Sequence, residues 1–96
     1  MSFSYEIQYT KAADKFFIRH EKIRTQFENS IRELLVGEHP ESVDVKKIKG
    51  SHADYYRIRL GSYRVIYTLI AGKIVVVVAL LAGARGDVYK KKGMLQ

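Results

Sequence analysis

The run Tyr55-Tyr56-Arg57-Ile58-Arg59-Leu60 is followed, after only Gly61-Ser62, by Tyr63-Arg64-Val65-Ile66-Tyr67-Thr68-Leu69-Ile70. Both runs are rich in β-branched and aromatic residues, and a Gly-X pair between them predicts a tight type II′ hairpin, since glycine supplies the positive φ required at the first central position. Such a turn sets the pairing: Leu60 faces Tyr63, Arg59 faces Arg64, Ile58 faces Val65 and Arg57 faces Ile66. Side chains alternate along a strand, so Tyr56, Ile58, Leu60, Tyr63, Val65 and Tyr67 share one side while Arg57, Arg59 and Arg64 share the other. One side has the makings of a core, and the other gathers guanidinium groups.

A second turn at Ala71-Gly72 leads to Lys73-Ile74-Val75-Val76-Val77-Val78-Ala79-Leu80-Leu81, an apolar run suited to a central strand covered on both faces. A two-residue loop places Arg64 opposite Ala79, and parity carries Leu81, Gly83 and Arg85 to the arginine side. Cross-strand partners lie about 5 Å apart. At an effective dielectric near 20, two arginines at that distance repel by about 3 kcal/mol. Folds of marginal stability do not keep such a cluster without reason. Planar guanidinium forks suit phosphate oxygens, so an anion site for phosphate or a polyanion is the functional expectation, with a solvated basic face of screened charges as the alternative.

Charge over the whole chain agrees. Its formal balance is +7, but the first 44 residues carry six basic against eight acidic side chains, and the remaining 52 carry eleven against two. Basic character is therefore concentrated in the strand-rich half, the electrostatic footprint of a nucleic-acid binder and an invitation to an acidic protein partner. Ninety-six residues make one domain, residues 1–96. Without cysteine there is no disulfide, zinc-thiolate site or cysteine nucleophile. The longest apolar run, Ile74 to Ala82, is too short to span a bilayer, and Glu6 interrupts any signal-peptide core, so the expected location is the cytoplasm.

Taken in order, Ser4 to Tyr9 alternates polar and apolar residues as a half-exposed strand does. Thr10 is placed to cap a helix from Lys11 to about Arg19 with Ala13, Phe16 and Phe17 inward. A second helix follows from about Glu21 to Val36, with Ile23, Phe27, Ile31, Leu34 and Leu35 at helical spacing, and Gly37 is expected to close it in a left-handed conformation. His39-Pro40 belongs to a solvated connection. A short strand, Val45 to Ile48, carries Lys46 and Lys47 and is followed by Lys49; parity puts Lys47 and Lys49 on one side without saying which face that is. His52, in the loop before the hairpin, is the histidine most worth testing. Gly86-Asp87-Val88-Tyr89 leads into Lys90-Lys91-Lys92, a short terminal helix or tail that adds to the basic surface. Together these elements predict an α+β fold: an N-terminal strand, then an αα-hairpin packed on a mainly antiparallel, four- to five-stranded twisted sheet.

Three stretches of this sequence resemble the RelE/ParE superfamily of type II toxin–antitoxin toxins, and more specifically its RelE branch. They are Lys47-Ile48-Lys49-Gly50, the run Tyr56-Arg57-Ile58-Arg59-Leu60-Gly61-Ser62-Tyr63-Arg64-Val65-Ile66-Tyr67, and Gly83-Ala84-Arg85-Gly86-Asp87-Val88-Tyr89. The likeness extends over nearly the whole chain and implies a RelE-like microbial RNase fold. The implied activity is that of a ribosome-dependent mRNA endonuclease acting in the A site, where the 2′-hydroxyl attacks the adjacent phosphate without a metal or cofactor. Arg57, Arg59, Arg64, Arg85 and Tyr89 occupy the positions of the family's catalytic residues, and Lys47, Lys49, His52, Lys90 and Lys91 are candidate RNA contacts. The partners implied are an acidic RelB-like antitoxin in a hetero-oligomer, 16S ribosomal RNA and the message. Arg57 and Arg59 stand where the best-known members carry lysine, and arginine is a poor proton acceptor, which leaves the general base open among Tyr89, His52 and Lys49. Ala84 excludes histidine-assisted acid catalysis at its own position. A ParE-like gyrase inhibitor without nuclease activity is the alternative.

Overall fold

In the computed structural model, residues 4–49, 54–72 and 74–84 are described. The elements are β1 (Tyr5–Tyr9), α1 (Lys11–Arg19), α2 (Glu21–Val36), a single 3-10 turn (Pro40–Ser42), β2 (Val45–Lys49), β3 (Asp54–Leu60), β4 (Tyr63–Ala71) and β5 (Val75–Ala84). They form one five-stranded sheet in the order β1-β5-β4-β3-β2. β1 runs parallel to β5 and every other pair is antiparallel. The two helices cover one face, so the α+β expectation holds, with the strand count at five.

Both helices form where their apolar spacing predicts. Thr10 caps α1: its Oγ1 accepts from Ala13 N at 3.2 Å. The same hydroxyl donates to Leu80 O at 2.6 Å, which ties the start of the helix to β5. Ala13 and Phe17 from α1 and Phe27 and Ile31 from α2 are fully buried against Ile58, Val65, Tyr67, Val77, Ala79 and Ala82 of the sheet. Phe17 and Phe27 stack at 5.9 Å between centroids, with Tyr9 edge-on to Phe17 at 5.6 Å. Each buried ring contributes about 1.5–3 kcal/mol through lost apolar hydration.

Three local expectations change. Gly37 ends α2 in extended conformation (φ −82°, ψ 172°), not a left-handed one. Glycine is needed there for space: a Cβ would lie 2.7 Å from the Glu33 Cα, and 2.0 Å from the carboxylate, whose Oε2 accepts from His39 N at 2.8 Å. The connection from β4 to β5 is also longer than the sequence suggests, because Ala71 pairs with Val75 and Lys73 falls outside the described residues. Finally, the register slips between Ile66 and Tyr67, where Ile66 pairs with Leu81 and Tyr67 with Ala79. Leu80 is the extra residue of this β-bulge, and its carbonyl is the one that takes the Thr10 hydroxyl.

These changes have a net effect on the far side of the sheet. Arg64 pairs with Gly83, not Ala79, and Ala79 belongs to the helix-side core. The longer loop and the bulge together displace the pairing by an even number of residues, so Leu81 and Gly83 still fall on the arginine side. Leu81 packs there with Tyr55 and Ile66 in a second, smaller apolar cluster bordered by Ile48 and Leu80.

Candidate nucleic-acid interface

The hairpin behaves as its sequence requires. Gly61 has φ +62° and no other residue among those described has a positive φ, which is the II′ pattern and leaves Ser62 in the ordinary region. The pairs Leu60–Tyr63, Arg59–Arg64, Ile58–Val65 and Arg57–Ile66 all form. Arg57, Arg59 and Arg64 therefore project from the face that the helices leave open.

They are not three equivalent free cations. Arg64 is only 5% exposed and folds back over the turn, where Nη1 donates to Gly61 O and Tyr63 O, each at 3.1 Å. It has no carboxylate partner among the described residues. Arg57, with its side chain 15% exposed, donates from Nη2 to Asp44 Oδ1 at 3.3 Å. Arg59, more than half exposed, places Nε 3.9 Å from the other oxygen of the same carboxylate. The repulsion expected between the facing Arg59 and Arg64 is thus relieved by divergence: one guanidinium turns to backbone carbonyls and the other to Asp44. The Nε atoms of Arg57 and Arg64 are buried and lack acceptors among the described residues. A buried donor left in that state costs about 1–3 kcal/mol.

Asp44 was missed by sequence reasoning. It precedes β2 by one residue, and Arg59 N donates to its carbonyl at 3.0 Å, which sets it directly beside Arg59. Its charge was visible; its side of the sheet was not, since that depends on the pairing of β2 with β3 across residues 50–53. That pairing also sorts the lysines. Lys46 pairs with Arg57 and shares the arginine face. Lys47 and Lys49 pair with Tyr56 and Asp54 and take the opposite side, and Lys47 Nζ lies 3.2 Å from Asp54 Oδ2. They are not brought together with the arginines. His52, Arg85, Tyr89, Lys90 and Lys91 lie outside the described residues, as does the C-terminal helix or tail expected there.

Two histidines are placed. His39 is exposed beside Glu41, in keeping with a solvated connection. His20 joins α1 to α2, stacks on Phe16 at 4.2 Å and approaches Tyr63 at 5.2 Å, all on the helix side. No cluster of three or more His, Asp or Glu suited to a metal occurs among the described residues. A shallow cleft of about 320 Å³ adjoins the interface, lined by Asn29, Ser30 and Glu33 of α2 and by Ser42, Asp44 and Arg59. No described helix is long and apolar enough to cross a membrane.

Residues 7–86 match the sequence profile of the family described as "ParE toxin of type II toxin-antitoxin system, parDE". The chain belongs to the RelE/ParE toxin superfamily. Within it, solved structures point to the RelE side. The archaeal RelE–RelB complex from Pyrococcus horikoshii OT3 contains a chain 32% identical, with 90% of this chain and 98% of that one covered at a TM-score of 0.58. A chain of the RelB–RelE antitoxin–toxin complex from Methanococcus jannaschii is 28% identical over 86% of this chain and 95% of that one, at a TM-score of 0.57. A search of curated proteins finds no match. The protein is a toxin of a type II toxin–antitoxin module, RelE-like by structure.

Proposed function

We propose that this RelE-like toxin is an endoribonuclease that cleaves mRNA in the ribosomal A site. The observation that carries the reading is Arg64: a guanidinium almost wholly buried, with no carboxylate partner among the described residues, beneath a sheet face that also presents Arg57 and Arg59. A buried cation satisfied only by carbonyl dipoles keeps its field, and that field acts most strongly where water is excluded. An RNA phosphate is a fitting complement.

In the proposed reaction the 2′-oxygen forms a bond to the adjacent phosphorus and the bond to the 5′-oxygen breaks. The 2′-hydroxyl proton is taken by a base, and a proton reaches the departing oxygen; a 2′,3′-cyclic phosphate and a 5′-hydroxyl remain. Arg64 and Arg85 stabilise the charge that builds on the non-bridging oxygens, and Arg57 and Arg59 hold the backbone. Tyr89 stacks on a base or moves the proton, and Lys90 and Lys91 extend the contact to ribosomal RNA. No metal is assigned a role. Lys46 joins this surface on geometric grounds, whereas Lys47 and Lys49 are better suited to contacts on the other side of β2. The partner complex of both archaeal relatives supports a RelB-like antitoxin here too, an acidic segment covering the basic face in the cytoplasm.

The family profile bears the ParE description, which favours gyrase inhibition as the second reading. Primer extension after brief induction separates the two. New cuts within translated codons that vanish in Arg85→Ala support the nuclease. Growth arrest with intact messages, accompanied by DNA-damage signalling, refutes it and favours gyrase.

A further inference from the structure

Asp44 is the sole carboxylate against the arginines among the described residues, and its geometry is asymmetric. Oδ1 accepts a hydrogen bond from Arg57 Nη2 at 3.3 Å, whereas Oδ2 and Arg59 Nε stand 3.9 Å apart, close enough to attract but too far to bond. The main chain holds the carboxylate in place, because Arg59 N donates to Asp44 O and Val45 N to Val43 O, both at 3.0 Å. Arg57 is therefore clamped, and Arg59 is drawn alongside but left able to turn.

We propose that Asp44 is a positioning residue of the RNA site, one that aims Arg57 and Arg59 at the expense of affinity; this rests on the nuclease reading above. Two like charges two residues apart on one strand face splay when nothing stands between them. A shared carboxylate draws them together and offsets one positive charge while the site is empty. An incoming phosphate competes for the same donors, and the long Arg59 contact yields first. The Arg59 contact is more than half exposed on both sides and adds little to fold stability, so stability alone gives that half of the arrangement no reason to be there.

Removing the charge should consequently move binding and chemistry in opposite directions. A fold defect would weaken both, and simple electrostatics would strengthen both. The test compares wild type, Asp44→Asn and Asp44→Glu in two assays. One measures binding of a short single-stranded RNA carrying a 2′-deoxy block at the scissile position, as a function of salt. The other is single-turnover cleavage of message on programmed ribosomes at saturating toxin. Asp44→Asn should bind the blocked RNA about 2–5-fold more tightly at 0.1 M salt, with a log–log salt slope steeper by about 0.7, the increment for one further phosphate neutralised on a single strand. Its saturated cleavage rate should fall about tenfold or more. Asp44→Glu, which restores the carboxylate, should cleave within about threefold of wild type. An unchanged salt slope, or full-rate cleavage by Asp44→Asn, refutes the role of Asp44 while leaving the nuclease intact. Failure of wild type to cut refutes the nuclease reading and the positioning role with it.

Discussion

The two faces of the sheet use the same strands for opposite ends. Toward the helices, Ile58, Val65, Tyr67, Val77 and Ala79 meet Phe17, Phe27 and Ile31 in a dry interior where every ring has a neighbour. The open side carries Arg57, Arg59 and Arg64 beside the small Tyr55–Ile66–Leu81 cluster, the arginines held by one shared carboxylate and two turn carbonyls. The first face is stabilised by burial. The second retains a buried cation and two guanidinium nitrogens without acceptors among the described residues, features that stability alone does not favour. A five-stranded sheet with one strongly packed side can carry an opposite side arranged for something other than folding.

Truncation should strike the two faces differently. Phe27→Ala opens a cavity in the packed face and should cost about 3–5 kcal/mol, read as a drop in the denaturant midpoint at constant slope. A much smaller loss would mean that the helices contribute little to the core. On the open face, Arg64→Met should lower ribosome-dependent cleavage about 10²–10³-fold while the thermal midpoint holds or rises, since an apolar side chain of similar length no longer buries a charge. A large loss of stability instead would make Arg64 a structural cap of the hairpin.

A pH titration probes the packed face again. Burial, and then the neighbouring Tyr56, push the Tyr67 phenol from 10.0 up to about 12. The neutral phenol is the form the fold favours, so its contribution is fully present below about pH 10 and is lost as pH rises toward 12. That contribution is on the order of 2–3 kcal/mol. Equilibrium unfolding should weaken over that interval, and Tyr67→Phe should flatten the decline. Tyr9 is raised too, by burial and by its hydrogen bond to Glu28, and adds to the decline in the same direction. The smallest effect expected is also the most direct comparison of sides: Lys46→Ala should weaken binding of single-stranded RNA about 2–5-fold, and Lys47→Ala should leave it unchanged. Equal effects would remove the distinction between the faces of β2.

Much of this molecule was legible before any coordinates. The bounds of α1 and α2 follow from Thr10, from apolar spacing and from the helix-breaking glycine and proline after Val36. The hairpin pairing follows from Gly61, because a two-residue turn leaves one way to align its strands. Three arginines on one side of that hairpin then follow from alternation alone. Beyond its reach the sequence was silent. The bulge at Leu80, stapled by Thr10 from 70 residues away, sets what Arg64 faces. The pairing of β2 decides that Lys46 and Asp44 join the arginines while Lys47 and Lys49 do not. The physical reason is the period of two. Within a strand or across a tight turn that period carries side-chain direction reliably, but one residue more or less in a loop or bulge reverses every side chain after it. Such counts are settled by contacts between distant segments, and only the folded chain makes those contacts.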